Sequence, residues 1–225
     1  LHSEGFLDLP AWQAFARKAE AKNIPLVALK VGKSQEARSA TVSHTASLAG
    51  SDAGAQSLLD HLGIARVDDL PTLIETLKIM HVAGPLLSGK IASISCSGGE
   101  ASLIADLAHD TDLIFPMLTK RQSKALSDAL GPKVALANPL DYHTYIWRDA
   151  VAMTQAFSAM IDSNLAMTFL IVDFPRGDIC DDSDWECAIV AALETRATTN
   201  ANIAMVATLP ELMPEHIATR LMQGG

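Results

Sequence analysis

The chain has 225 residues, with 17 Lys plus Arg against 26 Asp plus Glu, a formal net charge of −9. Hydrophobic residues make up 49% and charged residues 19%, the balance of a globular chain rather than a disordered one. The length fits one large or two small domains, and the acidic balance argues against non-specific nucleic-acid binding, which needs Lys and Arg to neutralise phosphates. A local anion site made of backbone N–H groups stays compatible with that charge. No apolar run reaches the roughly 18 residues of a membrane span. The start, Leu1-His2-Ser3-Glu4-Gly5-Phe6, has neither the basic segment nor the long apolar segment expected of a signal peptide. It also lacks an initiator Met, as expected of a piece of a longer chain. Cys96, Cys180 and Cys187 are odd in number and unpatterned. They fit reduced thiols in a cytoplasmic protein, and without a CxxC pair no metal site is expected.

Taken in order, Trp12, Phe15, Ala16 and Ala19 fall at helical spacing after Pro10, with Asn23 closing the helix. Ile24 to Leu29 reads as a short buried strand. From Lys30 to Gly50 the periodicity stops in a small, polar stretch, VGKSQEARSATVSHTASLAG. It reads as a loop of about 20 residues, a length that is usually functional or disordered. Ser51-Asp52 reads as an N-cap, with the helix running to Gly63. A strand at 64–67 and a helix through Leu70, Leu73, Ile74, Leu77 and Met80 follow. Gly84 to Gly89 breaks the pattern and marks a domain boundary, giving domains 1–86 and 87–225.

The second half repeats the grammar. A strand at 90–96 runs into a tight turn, Ser97-Gly98-Gly99, and a helix marked by Leu103, Ile104, Leu107 and Ala108. A strand is predicted at 113–115, a helix through Gln122, Ala125, Leu126 and Ala129, and a turn at Asn138-Pro139-Leu140-Asp141. Met153, Ala156, Phe157 and Met160 form a core stripe. Met167 to Val172 is the most apolar strand. A helix from Trp185, a strand at 203–207 and a helix from Pro214 to Met222 close the chain. Continuous apolar strands alternating with helices predict an α/β protein with parallel sheets covered on both faces.

In such sheets ligands bind beyond the carboxyl ends of strands. Three places qualify. His44, between Ser43 and Thr45, could carry a phosphoryl group if a carboxylate or carbonyl holds its other nitrogen. A loop histidine bonded to a carbonyl is the plainer reading. Ser97-Gly98-Gly99 offers an anion the N–H groups and positive end of a helix, or is a plain strand-to-helix turn. It is neither a Walker loop nor a full GxGxxG fingerprint. Asn138-Pro139-Leu140-Asp141 is most simply turn chemistry. The remaining histidines show no metal spacing, and Asp178, Asp181, Asp182 and Asp184 read as a solvated loop rather than a calcium loop.

Lys30-Val31-Gly32-Lys33-Ser34 and Ser43-His44-Thr45-Ala46-Ser47-Leu48-Ala49-Gly50-Ser51-Asp52 resemble the NDP-forming acyl-CoA synthetases, the superfamily of succinyl-CoA synthetase and ADP-forming acetyl-CoA synthetase. Ala46 replaces the family's usual Gly. Ile64 to Asp68 and Asn138-Pro139-Leu140-Asp141 match further family segments, and Ser97-Gly98-Gly99 sits where the family has a Gly-rich turn. The resemblance implies two flavodoxin-like, doubly wound parallel-sheet domains, the first incomplete at its N-terminus. It implies that His44 is the phosphohistidine, that Glu4 in His2-Ser3-Glu4-Gly5 orients it, and that Thr45, Ser97, Gly98 and Gly99 bind phosphate. It also implies an acid-CoA ligase forming acyl-CoA from a carboxylic acid, CoA and ATP through an acyl phosphate. ATP, Mg²⁺ and CoA would be used by the intact enzyme, with none bound by this piece and no metal held. The ATP-grasp and CoA-binding modules would be partners in the same chain or on another, and self-association stays open. A different class, a non-catalytic flavodoxin-like interaction module, is the alternative.

Overall fold

The computed structural model describes residues 1–3, 5–45 and 51–225, excluding the side chains of His2 and of residues 41–45. The chain divides into two compact units, Leu1–Pro85 and Leu86–Gly225. Each carries one parallel sheet, as the alternation of apolar strands and helices predicts. No helix is long and apolar enough to cross a membrane.

The first unit contains β1 (His2–Ser3), α1 (Leu9–Glu20), β2 (Val27–Lys30), α2 (Gln35–Thr45), α3 (Asp52–His61), β3 (Ala65–Val67) and α4 (Leu70–Val82). Its sheet order is β1-β2-β3. The Asp8 carboxylate accepts from the Ala11 amide at 2.9 Å and starts α1, with Pro10 in the first turn. All four β2 residues are buried, Lys30 included, so the strand behaves as the central one of its sheet. Leu59 and Ile64 pack on Ala28 on one side, and Leu73 packs on Val27 and Leu29 on the other.

Within the loop expected from Lys30 to Gly50, residues 35–45 form α2 instead, and residues 46–50 lie outside the described residues. The apolar period is weak there because the segment is rich in Ser, Thr and Ala. What starts the helix is Ser34, whose hydroxyl accepts from the Ala37 amide at 3.1 Å and whose carbonyl accepts from Arg38 at 3.1 Å. At the other end of the motif, Ser51 caps α3 through the Gly54 amide at 3.0 Å, as predicted. Gly63 takes the left-handed conformation (φ +65°) that ends it.

The second unit contains β4 (Ile91–Ser95), α5 (Gly98–Ala108), α6 (Lys120–Leu130), β5 (Leu140–Asp141), α7 (Ala150–Met160), β6 (Met167–Ile171), α8 (Glu186–Thr199), β7 (Ile203–Val206) and α9 (Glu215–Gln223). The order β5-β4-β6-β7 is doubly wound. The chain leaves β4 for one side, then crosses back to build the other, so β4 is the topological switch point. Met153, Ala156, Phe157 and Met160 form the buried stripe of α7 against Leu126, Leu140, Tyr142 and Leu170.

Two expectations change here. The strand foreseen at 113–115 makes a single parallel bridge, between Lys90 and Ile114, with Ile91 N–H donating to Ile114 at 2.9 Å. The turn foreseen at 138–141 ends in β5, which pairs with β4 at Ile94 and Ser95. One edge of β4 is therefore served by two short segments. Asn138 fills the gap between them. Its side-chain oxygen accepts from the Ser93 amide at 3.2 Å, and its Nδ2 donates to the carbonyls of Ile91 at 3.0 Å and Pro116 at 3.2 Å. An Asn side chain has one acceptor and two donors, so it replaces missing sheet rungs.

Two tests follow from these contacts. Asn138→Ala leaves three backbone groups without partners and should destabilise the second unit by about 2–4 kcal/mol, read by urea unfolding of the Trp147/Trp185 fluorescence. A change near zero would show that the neighbouring backbone closes the gap unaided. In the first unit, nearly buried Arg66 bridges to Asp52 at 2.7 Å, and its guanidinium holds the Asp52 carboxyl below the usual range. A depressed carboxylate contributes stability above its unfolded pKa and loses it as pH falls through the folded one. Arg66→Met should thus lower the Tm at neutral pH, and the gap from wild type should narrow below about pH 4.

Candidate functional site

In the first unit the Lys-x-Gly-Lys-Ser segment is a strand end, a turn and a helix start. Lys30 ends β2 buried, its Nζ donating to the Val31 carbonyl. Gly32 turns the chain at φ +87°, a conformation that side chains resist. Ser34 then caps α2. The backbone of His44 and Thr45 lies in the last turn of α2, beyond the carboxyl end of β2. The side chains of His44 and Thr45, and all of Glu4, lie outside the described residues. The Ser3 backbone is at the end of β1, paired with Lys30, so the segment carrying Glu4 and the segment leading to α2 start from adjacent strand ends. Asp52, in the first turn of α3, is fixed by Arg66. Lys33 and Asp68 are both exposed and 3.8 Å apart, a pair worth little by itself.

In the second unit the switch point brings together the ends of β4, β5 and β6. Ser97-Gly98-Gly99 was expected to be a turn; α5 instead begins at Gly98 itself, with Ser97 as N-cap. Ser97 is followed three residues on by Glu100, the pattern of a capping box. The box does not form, since no side chain caps α5. In α6 the equivalent Thr119 and Gln122 do close the box. The Ser95 hydroxyl donates instead to the Ser97 carbonyl at 3.0 Å. The first-turn N–H groups of α5 are left without a side-chain acceptor, and they carry the positive end of the helix dipole. A Cβ at Gly98 would stand 3.2 Å from Asp141 Oδ2, so only glycine lets β5 come this close without displacing that carboxylate.

Three carboxyl groups surround this helix end. Asp141 Oδ1 accepts from the His143 amide at 2.8 Å. Asp173 accepts from the Thr208 amide at 2.7 Å and from the Thr208 hydroxyl at 2.6 Å. Glu100 differs: its Oε2 is buried without a hydrogen-bond partner. Burial, and then the charges of Asp173 and Asp141, push its carboxyl above the usual range. The same crowding raises Cys96, through burial first and Glu100 second, so that thiol is no ready nucleophile. Tyr142 is 1% exposed, its hydroxyl has no partner, and burial pushes it well up.

The sequence reading thus finds Ser97, Gly98 and Gly99 and names Asp141 within a segment read most simply as turn chemistry, but misses Glu100 and Asp173. The Ser-x-x-Glu spacing was visible. That the box stays open, and that two other strand ends flank it, was not. Among the described residues no three His, Cys, Asp or Glu side chains are grouped to hold a metal ion. The acidic stretch is a solvated, ion-paired segment, as expected: Asp178 pairs with Arg176 and Asp184 with Arg148.

Residues 1–80 match the family model described as succinyl-CoA ligase like flavodoxin domain. The chain is 30% identical over 141 residues to an ADP-forming acetate–CoA ligase of Methanocaldococcus jannaschii, covering 63% of this chain and 20% of that protein. It is 30% identical over 142 residues to the alpha subunit of ADP-forming acetate–CoA ligase II of Pyrococcus furiosus, covering 63% of this chain and 30% of that subunit. The chain therefore spans less than a third of the length of these relatives. Acetyl-coenzyme A synthetase 1 of Candidatus Korarchaeum cryptofilum, solved in complex with phosphate and ADP, superposes with a TM-score of 0.79 at 15% identity. That superposition covers 99% of this chain and 47% of that one, and it establishes the fold. Residues 1–80 are thus similar to the succinyl-CoA ligase like flavodoxin domain, and the relatives that the chain matches are ADP-forming acyl-CoA ligases.

Proposed function

We propose that this chain is the phosphohistidine-bearing part of an NDP-forming acid-CoA ligase, which makes acyl-CoA from a carboxylic acid, CoA and ATP. The observation that carries this reading is the placement of His44. It sits in the last turn of a helix launched from the carboxyl end of β2, inside the span that matches the family. That is where α/β sheets present residues to ligands. His44 accepts the phosphoryl group on one ring nitrogen. Glu4, on the segment leaving β1, holds the other nitrogen and fixes the tautomer. Thr45 in the first unit is a phosphate-binding residue, and in the second unit the N-terminus of α5, with Ser97, Gly98 and Gly99, is taken by itself as a phosphate-binding element.

The chain supplies positioning and electrostatics. ATP, Mg²⁺ and CoA are handled by ATP-grasp and CoA-binding modules, on the same chain or another subunit. The relatives' greater length gives that division room.

The test is phosphorylation of the complete ligase with γ-labelled ATP and Mg²⁺. Wild type should take up acid-labile, base-stable label. His44→Ala, with unchanged circular dichroism, should lose it entirely. Glu4→Gln should slow labelling by about tenfold to a hundredfold while leaving the fold intact. A wild type that takes no label with any carboxylic acid and CoA would favour a non-catalytic, subunit-binding role for both units.

A further inference from the structure

Arg66 stands on β3, paired in register with Ala28 of β2, and its side chain is only 6% exposed. Its three nitrogens face different parts of the first unit. Nη2 donates to Asp52 Oδ1 at 2.7 Å and Nη1 to Gln56 Oε1 at 3.3 Å. One guanidinium thus holds the first two turns of α3. Nε lies 3.7 Å from Asp68 Oδ1, too long for a hydrogen bond. The other oxygen of Asp68 is 3.8 Å from Lys33 Nζ. Lys33 immediately precedes Ser34, which starts α2, and Asp52 immediately follows Ser51, which caps α3. The cluster therefore joins β3 to both ends of the segment from Ser34 to Ser51, the one that carries His44.

Stability by itself is a poor reason to keep a guanidinium here. Taking two charges out of water costs about as much as their attraction returns, and packed apolar residues of similar volume often serve such a place equally well. What an apolar pair lacks is direction. The guanidinium is a rigid planar fork, and its donors accept Asp52 and Gln56 in one arrangement only. That arrangement fixes how α3 leaves the His44 segment. A group that must meet a phosphoryl donor loses much of its rate when displaced by about 1 Å. Resting on the reading above that His44 is phosphorylated, we propose that Arg66 is a positioning residue for that transfer. It sets α3 against β3 through Asp52 and Gln56, and it steadies the turn ahead of α2 through Asp68 and Lys33.

The test separates positioning from stability. In the complete ligase, Asp52→Leu combined with Arg66→Met replaces the ion pair by an apolar one and leaves neither charge stranded. Labelling with γ-labelled ATP and Mg²⁺ is followed in time, below the unfolding temperature of every variant, so that rate constant and final label per chain are read apart. The double variant should keep a Tm close to that of wild type and reach the same final label. Its rate constant should fall about tenfold to a hundredfold, with the KM for ATP unchanged. Arg66→Lys keeps the charge but loses the fork, and serves as the second variant should the double one fail to fold. It should also label more slowly to the same final level. A wild-type rate constant in either folded variant overturns the proposal, as does a lower final label reached at the wild-type rate, the mark of a purely structural residue. Both results leave the His44 reading intact. Absence of label in the wild type overturns that reading, and the role of Arg66 with it.

Discussion

The second unit depends on how one edge of β4 is completed. A central strand must have both rows of its backbone groups paired, because an unpaired buried N–H or C=O costs as much as a lost hydrogen bond. On the β6 side an ordinary parallel ladder does this. On the other side the chain supplies a single bridge at Ile114 and a two-residue strand at 140–141. The Asn138 amide satisfies the groups between them. That splice sets where β5 runs, and so delivers Asp141 and Tyr142 to the end of β4. The Tyr142 amide continues the pairing by donating to the Ser95 carbonyl at 2.9 Å. A residue that reads as turn chemistry is thus the connector between the sheet and the carboxyl-rich strand ends.

The two strand-end clusters differ in electrostatic design. In the first unit a basic run, Lys30, Lys33 and Arg38, accompanies the approach to α2, and the helix is started by a neutral hydroxyl. In the second unit the helix end is left uncapped and faced by carboxyls. The protein spends its positive helix end on an acidic neighbourhood rather than on its own capping residue, a local departure from the capping rule that α6 obeys. Departures of this kind concentrate at functional sites, where a group is kept available at some cost in local stability.

Helical periodicity was a sound guide to where helices lie and a poor one to what covers them. The stripe of α7 is buried as its spacing predicts. On α4 the same kind of stripe leaves Leu70, Ile74 and Leu77 exposed, and only Leu73 is buried. On α5, Leu103 and Leu107 are likewise open while Ala108 is buried. An amphipathic pattern reports that one face is apolar; which element packs on it is a long-range property. The helix at 35–45, where a loop was expected, was hidden by a local cause. Small hydroxyl and alanine side chains form a helix with little apolar contrast, so the period vanishes while the helix remains.

By itself, the sequence determined the alternation of strands and helices, the capping of α3 by Ser51, the core stripe of α7 and the His44-centred motif. Those features are local: a cap, a period or a motif is complete within about ten residues. Tertiary structure alone decided that β4 is the switch point, that Asn138 serves as sheet backbone, and that Glu100, Asp141 and Asp173 converge on one helix end. These three residues are spread over 74 positions of the chain, from 100 to 173. Nothing in their own neighbourhoods encodes the meeting. It follows from strand order, and strand order is fixed by the packing of the whole sheet against its helices.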